Sequence, residues 1–580
     1  MMHKELFGVF GDADAFADAC DEGAFDRVCS ADSLTVGIRD PDLNAPHRSA
    51  TYEDDSGCCV IWGEIYTPDG IDWPARWLLE RHREHGRTAL TALNGSYLVA
   101  VADGTEAAVY TDPIRSWECF YTDAGGPSGP RTFGTDAAHV CRARRELSLD
   151  PDSLLELAHI SVVLDDRTLF EEVSRTPFDG VLYPDSTDRL DRFVYRPREF
   201  NYADELAERL ERALSRRADL RGTKGLLLGA GYDSRTLLAG IPDIECCYTV
   251  GTADSSEVRV AKKLADQYGA THRTLGIDGS YFRTDIDTIR YTNGIGESIH
   301  IHQRGVEEIA DADVIYHGWA IDSLLKEFFV QKKRIGAFGK SVKLSGLPEE
   351  PDAIDFLTDR KLGIMPESAD LLADCQSVSE VTGAETLIED RLERELECCR
   401  ERCTSEHDLP SVFGIKNLPS KSFRTHLADQ FTESFVCADS ELLEWHLSTP
   451  PEHRSTETFL DAIQQLDPAV LRYRPPDRPR TSSILNQIEG FCRRNLPLPL
   501  SPFDSPWPDR RSLYREYDLD RTLLPDSPGL HSCSVRLKLR IHDVETWLAS
   551  VAGEGAITPE EAVCPPDSRV LVPAEWTATH

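Results

Sequence analysis

The segment 226–235 reads Leu-Leu-Leu-Gly-Ala-Gly-Tyr-Asp-Ser-Arg and has the residue types of a phosphate-binding turn. Its leucines predict a buried strand, and Gly229 and Gly231 let backbone N–H groups approach an anion closely. A helix predicted at 235–239 points its positive end at the same group. Neither the P-loop Lys-Ser/Thr nor the dinucleotide glycine pattern is present. The pattern indicates a nucleotide, although such a turn is also typical of a plain strand–helix connection.

The chain after this turn alternates predicted strands and helices. Strands are predicted at 246–249, Thr271–Leu275 and 313–318, and apolar residues at helical spacing predict a helix at 257–269. This rhythm indicates a parallel sheet that binds ligands at the carboxyl ends of its strands. The third strand runs into Gly318-Trp-Ala-Ile-Asp322, a second acidic loop at the same edge. Two acidic loops facing a nucleotide favour Mg²⁺.

These motifs resemble those of the glutamine-hydrolysing asparagine synthetases and of their relative β-lactam synthetase, over about residues 6 to 480. The family's Ser-Gly-Gly-x-Asp-Ser loop falls on 229–234, where Asp233 and Ser234 match and the leading Ser and first Gly do not. Its Gly-x-Gly-x-Asp-Glu loop falls on 318–323, which keeps Gly318 and Asp322 but loses the second Gly and the following acid.

The resemblance implies an α/β protein with three parts. Residues 1–195 are expected to form an Ntn-hydrolase-type α/β sandwich, a degenerate class II glutamine amidotransferase-like domain. Residues 196–480 are expected to form a parallel-sheet ATP pyrophosphatase domain of the PP-loop, adenine nucleotide α-hydrolase-like kind. Residues 481–580 are a C-terminal extension whose role the resemblance leaves open.

The resemblance also implies ATP and Mg²⁺ as cofactors, with these nucleotide-binding residues: Gly229, Gly231, Asp233, Ser234, Gly251 and Gly318. It places the metal on Asp233 and Asp322 and the chemistry on Asp322 and Arg474. Where the family has a Lys after an Arg, the run 471–476 has proline. Arg474 or Arg478 then supplies the cation for the adenylate transition state, or these arginines are surface ion-pair partners.

The N-terminal part departs from the family at its nucleophile. Phe7 stands where the family has an N-terminal Cys, and Trp62 replaces the Asn of the oxyanion site. A phenyl ring supplies neither a thiolate nor a base, so glutamine hydrolysis is expected to be lost. Glu64 and Asp136, whose family counterparts hold glutamine, are then relics. The nearest other cysteines, Cys20, Cys29, Cys58 and Cys59, do not lie at a chain terminus, and residues 58–61 are predicted to form a buried strand in which a Cys is a small hydrophobe.

The chain of 580 residues carries 100 acidic and 63 basic residues, a net charge of −37. This acidic surface is typical of proteins from a high-salt cytoplasm and argues against nucleic acid or membrane partners. Sixteen cysteines without a signal peptide fit a reducing cytosol, so a cytoplasmic location is expected.

The function predicted is an AMP-forming amide ligase that adenylates a carboxylate, aspartate by default as in asparagine biosynthesis, for attack by ammonia or an amine. A homodimer is expected. The alternatives are a non-catalytic assembly partner, favoured by the altered loops, and a β-lactam synthetase-like cyclase acting on another carboxylate. A tRNA-modifying ATP pyrophosphatase requires a basic RNA-binding face, which this charge does not offer.

Overall fold

The computed structural model describes residues 3–68, 71–123, 129–337, 340–344, 346–364, 384–418, 420–478, 509–566 and 568–574, with a few positions between these ranges. The prolines at 497–508, which the sequence marks as punctuation of the C-terminal extension, lie outside the described residues.

The N-terminal half is rich in strands because short β-branched and apolar runs alternate with turn residues. Its strands are β1 (Glu5–Val9), β2 (Arg27–Ala31), β3 (Leu34–Arg39), β4 (Ala50–Asp54), β5 (Gly57–Tyr66), β6 (Asn94–Ala102), β7 (Ala107–Thr111), β8 (Phe120–Thr122), β9 (Thr132–Gly134), β10 (Leu147–Ser148), β11 (Val173–Arg175), β12 (Gly180–Leu182) and β13 (Thr187–Arg189). Its helices are α1 (Ala13–Ala19), α2 (Pro74–His85), α3 (Ala137–Arg142) and α4 (Pro151–Leu155).

Two antiparallel sheets of this half, ordered β11-β8-β9-β1-β3-β2 and β13-β12-β7-β6-β5-β4, pack face to face. Side chains of alternate residues point to opposite faces of a strand, so Leu6 of β1 and Val60 of β5 meet between the sheets. The neighbouring Phe7 packs outward on the layer that contains α3, and Cys59 packs on the layer of α2. Helices therefore cover both sheets, as predicted for an α/β sandwich.

The second half contains the predicted parallel sheet. Its strands are β14 (Lys224–Leu227), β15 (Ile244–Val250), β16 (Thr271–Leu275), β17 (Val314–His317), the separate hairpin β18 (Arg334–Ala337) and β19 (Lys340–Lys343), and β20 (Thr432–Ser434). Its helices are α5 (Tyr202–Ala218), α6 (Asp233–Gly240), α7 (Ser256–Gln267), α8 (Ile286–Ile289), α9 (Val306–Ile309), α10 (Ile321–Leu324), α11 (Ala353–Arg360), α12 (Ala384–Arg400), α13 (Leu409–Lys416), α14 (Lys421–Gln430), α15 (Ser440–Ser448) and α16 (Thr456–Leu466).

The sheet order is β16-β15-β14-β17-β20, and every neighbouring pair is parallel. The chain runs outward from β14 through β15 to β16 and then returns to add β17 on the other side. The carboxyl end of β14 is therefore the point where the strand order reverses, which is where open parallel sheets bind ligands. The edge strand β20 was not predicted from the sequence.

The C-terminal residues pack into the N-terminal half. They form α17 (Arg510–Glu516), α18 (Leu519–Leu523), α19 (Val535–Ala552), α20 (Pro559–Val563) and β21 (Val570–Leu571). Ile541 and Trp547 of α19 share a buried core with Phe7 and Val140. The strand β21 pairs with β10 in antiparallel fashion. The extension therefore completes the core of a domain that begins more than 500 residues earlier in the sequence.

Within the described part of the chain, no helix has the length and apolar character needed to cross a membrane. The cysteines of these residues are free thiols, except for Cys564, which is disulfide-bonded.

The two halves are joined by buried charged groups. Glu64 of β5 lies 3.4 Å from the guanidinium of Arg217 of α5, and both side chains are buried. Glu64 also accepts hydrogen bonds from the Ser434 hydroxyl at 2.9 Å and from the Phe435 N–H at 2.8 Å. Burial alone raises the pKa of Glu64, but Arg217 and Arg48 outweigh it and hold that pKa below its usual range. Glu64 is therefore an ionised bridge between the sandwich and the parallel sheet.

We expect Glu64→Gln to lower the free energy of unfolding by about 3 kcal/mol, because it leaves part of the Arg217 charge buried without its partner. Chemical denaturation measures this change. Glu80→Gln is the matched control, since Glu80 pairs with Arg76 at an exposed position and its loss costs less than about 0.5 kcal/mol. Equal, small effects of both substitutions would contradict the bridging role.

Asp543 of α19 is a buried carboxylate whose charge opposes folding. Burial raises its pKa to about 6, although Ser298 donates to it from its backbone N–H at 2.8 Å and from its hydroxyl at 2.7 Å. Because the folded pKa lies above the unfolded value, Asp543 destabilises the fold at pH 8. This penalty fades as the pH falls through 6 toward 4.

We expect Asp543→Asn to mimic the protonated carboxyl and to stabilise the protein at pH 8 by about 2 kcal/mol. The gain should shrink as the pH approaches 4. Thermal or denaturant unfolding between pH 5 and pH 8 measures it, with Asp461→Asn on the exposed side of α16 as the control. A gain that does not change with pH would refute the titration.

Candidate functional site

The loop between β14 and α6 is held by hydrogen bonds from its backbone to nearby side chains. The N–H of Gly229 donates to the Ser234 hydroxyl at 3.0 Å, and the N–H of Ala230 donates to Glu257 at 2.6 Å. Arg235, fully buried, donates to the carbonyl of Ala230 at 2.5 Å and to that of Val470 at 3.2 Å. The loop is therefore fixed before any ligand binds. Its N–H groups at the start of α6 remain available for an anion, because the first turn of a helix leaves them unpaired.

Gly318 brings the two predicted loops into contact. A Cβ atom at this position would lie 2.8 Å from the Ser234 nitrogen and 2.9 Å from the Asp233 carbonyl carbon. The backbone after β17 thus passes directly against the backbone that opens α6. Only glycine permits this approach.

The second loop keeps a glycine-like conformation without a glycine. Ala320 has a φ of 64° and a ψ of 0°, in the left-handed region, and it immediately precedes α10. This is the position of the second Gly in the motif of the resembled family. An alanine here costs about 1 kcal/mol relative to an unstrained residue. The turn that presents Asp322 therefore adopts the left-handed conformation with an alanine at this position.

Asp233 and Asp322 face one cleft, together with Lys326 and Arg478. The ammonium of Lys326 forms an ion pair with the buried Oδ1 of Asp233. Burial raises the pKa of Asp233, the charge of Lys326 opposes this shift, and the nearby Asp322 adds to it. Lys326 is 9% exposed and lines the same cleft.

The cleft has a volume of about 600 Å³ and extends from Asp233 toward α11. Arg478 lines it. Arg474 does not line it: its guanidinium donates to the carbonyl of Arg480 at 3.0 Å on the exposed surface. Gly251 lies at the end of β15, and its N–H donates to the carbonyl of Leu275 at 2.9 Å, so that group is already used within the sheet. The geometry brings together Asp233, Ser234, Gly318 and Asp322, and leaves Arg474 outside.

The site has ligands for a magnesium ion only in combination with a bound phosphate. Among the described residues, no group of three or more His, Cys, Asp or Glu side chains is arranged to hold a metal. Asp233 and Asp322 supply two carboxylates in one cleft, and Mg²⁺ is commonly held by one or two carboxylates plus substrate phosphates. Oδ1 of Asp233 is paired with the ammonium of Lys326, so a metal ion at this oxygen would have to displace that contact.

Three residues of this site were not predicted from the sequence. Glu257 and Arg235 form hydrogen bonds with the backbone of the loop, and these bonds cannot be read from the sequence. Lys326 stands four residues after Asp322, and this spacing is the one signal that could have found it.

Phe7 and Trp62, which stand at the two positions where the N-terminal half departs from the resembled glutaminase motif, are packed side chains. Phe7 is fully buried and stacks on His139 at 4.2 Å. Trp62 packs edge-on against Trp117 at 5.5 Å beside a cavity of about 50 Å³. Burial raises the pKa of Cys58 to about 12 and that of Cys59 further, so neither offers a thiolate.

The two acids that the resemblance assigns to glutamine have structural partners instead. Glu64 forms the bridge to Arg217 described above. Asp136 accepts hydrogen bonds from the N–H groups of Ala138 and His139 and so caps α3. It also lies 3.6 Å from Arg290.

No protein-family model matches the chain, and no curated protein matches it. Among solved structures, the allosteric regulatory enzyme of purine biosynthesis is similar at 10% identity and a TM-score of 0.21, over 56% of this chain and 70% of that chain. Glutamine phosphoribosylpyrophosphate amidotransferase from B. subtilis, complexed with ADP and GMP, is similar at 10% identity and a TM-score of 0.19, over 54% and 74%. Similarity at this level carries no argument about fold or function.

We expect Ala320→Gly to raise the free energy of unfolding by about 0.5–1 kcal/mol, because it relieves the left-handed backbone at this position. Denaturant unfolding measures the gain. Ala469→Gly, outside the positive-φ positions, is the control and should destabilise. A loss of stability in Ala320→Gly would show that the methyl group packs more favourably than the backbone is strained.

Proposed function

We propose that the protein is an ATP-dependent, AMP-forming amide ligase of the asparagine synthetase kind. The observation that carries this proposal is the meeting of two loops at the carboxyl end of β14. There Gly318 packs against the backbone of Asp233 and Ser234, and Asp233 and Asp322 open into one cleft. A parallel sheet with this crossing point and paired acids suits a magnesium nucleotide.

The residues of the cleft suggest a division of work. The N–H groups at the start of α6 receive phosphate oxygens, while Ser234 and Glu257 hold the loop in the shape that presents them. Asp233 and Asp322 would hold Mg²⁺, which draws negative charge from the phosphates. Lys326 and Arg478 are placed to stabilise charge that develops when an acceptor carboxylate attacks the α-phosphorus and pyrophosphate leaves. Ammonia or an amine then displaces AMP, losing a proton as the amide forms.

The nitrogen donor is proposed to come from solution or from a separate protein. The phenyl ring of Phe7 in place of a thiol, Trp62 in place of an asparagine and the raised pKa of Cys58 argue against glutamine hydrolysis by the described residues of the N-terminal half. Aspartate is the default acceptor by resemblance alone. The altered loop at 318–323 admits another carboxylate, including one that closes a ring as in β-lactam synthetase.

A second candidate function is a non-catalytic assembly partner. The contact between Lys326 and Asp233 favours it, because an ammonium group there competes with a metal ion for the same carboxylate oxygen. An enzyme requires Lys326 to move onto the phosphates when the nucleotide binds. A pseudoenzyme keeps the ion pair as a structural contact.

Pyrophosphate release by the purified protein in molar KCl with Mg²⁺, ATP, ammonium and a panel of carboxylates led by aspartate tests the proposal. We expect release that depends on one carboxylate, and a loss of about 100-fold or more in Asp233→Asn and in Asp322→Asn. Asp461→Asn, an exposed acid of the same half, serves as the control and should leave the rate unchanged.

The outcomes separate the candidates. ATP binding without turnover for any carboxylate would favour the assembly partner, and no ATP binding would refute the nucleotide site. Glutamine in place of ammonium should give no product. Glutamate formed from it would contradict the loss of hydrolysis.

A further inference from the structure

A largely apolar groove of the N-terminal half shares no described wall residue with the cleft of Asp233 and Asp322. It has a volume of about 300 Å³ and is formed by the chain just before β4, by β4 itself and by the residues that lead into α2. Pro46, Tyr52 and Ile71 are among its apolar wall residues. An apolar cavity of about 150 Å³ binds benzene, so this groove has room for a larger aromatic ring.

Trp73 lines this groove and leaves most of its own surface in solvent. The residue immediately precedes α2 and is 71% exposed, the highest fraction among the large apolar side chains of the described residues. Its indole forms no hydrogen bond that caps the helix. A covered tryptophan buries about 150–250 Å², and each Å² of apolar surface removed from water contributes about 25 cal/mol. Covering Trp73 is therefore strongly favourable.

The groove is neutral in a chain of net charge −37. Its described wall residues include one acid, Asp72, and one base, Arg76. Partial burial lowers the pKa of His47, so the imidazole in this wall is neutral at pH 7. Two copies of such a chain repel each other wherever their acidic surfaces meet. A contact between copies is therefore favoured on a neutral, apolar surface such as this one.

A second copy of the chain suits both parts of this surface. In a two-fold dimer the same patch of one copy faces that patch of the other. Trp73 of each copy then enters the groove of its partner, and the charges of Asp72 and Arg76 from both copies sum to zero. A different protein would have to supply both an aromatic anchor and a groove of its own.

We propose that the protein forms a two-fold dimer in which Trp73 of each copy inserts into the groove between β4 and the start of α2 of the other. A tryptophan in a pocket is a typical anchor of a protein interface. Since a stable interface buries about 800 Å² per partner, the exposed residues of α2 and of the segment 44–47 must surround this anchor. The dimer does not depend on the proposed ligase function.

Sedimentation equilibrium of the full-length protein in molar KCl tests this proposal. We expect a species of twice the chain mass, and a dissociation constant raised about 100-fold or more in Trp73→Ala, because both copies lose their anchor. Ala45→Glu adds bulk and charge to an exposed position of the groove wall and should act similarly. Ile286→Ala removes a different side chain that is 55% exposed and should leave the constant unchanged. Thermal unfolding checks that each variant is folded.

A mixture of the two disruptive variants tests reciprocal insertion. A pair of one Trp73→Ala copy and one Ala45→Glu copy keeps one tryptophan facing one unaltered groove. We expect this mixed pair, measured with differently labelled copies, to bind more tightly than either variant binds itself and more weakly than the wild type. No gain in the mixture would overturn the proposal.

Two further outcomes would overturn the dimer. A wild-type protein that stays monomeric up to about 0.1 mM would leave the groove to another occupant. A dimer that persists unchanged in both Trp73→Ala and Ala45→Glu would place the interface elsewhere on the molecule.

Discussion

Buried arginines set the geometry of this protein, because two of them, Arg217 and Arg424, tie a segment of one half to a segment of the other. Arg217 of α5 lies between Glu64 and Asp439. Arg424 of α14 donates to Glu433 at 2.7 Å and to the carbonyl of Ser116 at 2.8 Å. A buried guanidinium without acceptors is severely destabilising, so each one requires its partners to be in place. The halves can therefore meet in very few ways.

The site inherits its precision from these contacts. Glu433 of β20 also accepts from His317 at 2.8 Å, and His317 is the residue before Gly318. The contacts of Arg424 and Glu433 between the two halves thus fix the end of β17, and with it the turn that carries Asp322. On the other side, Arg235 ties the first loop to the carbonyl of Val470. Rigid support of this kind is what a preorganised anion site requires.

The spacing of apolar residues predicted the long, buried helices and strands correctly. It did not predict a short strand whose polar residues are buried only because distant side chains pair with them. The helices α5 and α7 and the strands β15 and β17 follow directly from apolar spacing. The strand β20 has the sequence Thr-Glu-Ser, and its central acid reads as exposed until Arg424 and His317 are known. Glu64 and Asp136 match positions of a family motif, but their partners lie far away in sequence. The loops at 229–234 and 318–322 were located from glycine and acid spacing alone, whereas Lys326, Glu257 and the wall of α11 required the folded chain.

The pairing of β21 with β10, and of α19 with the layer outside β1, brings the last residues of the chain into the core made by the first ones. The N-terminal segments leave the ribosome long before Trp547 is synthesised. Until then, the apolar face of the sandwich that contains Phe7 has no helix α19 to cover it. A chain that ended before α19 would leave this apolar face of the sandwich exposed to solvent. The core around β1 is complete only when α19 and β21, near the end of the chain, have been synthesised and packed onto it.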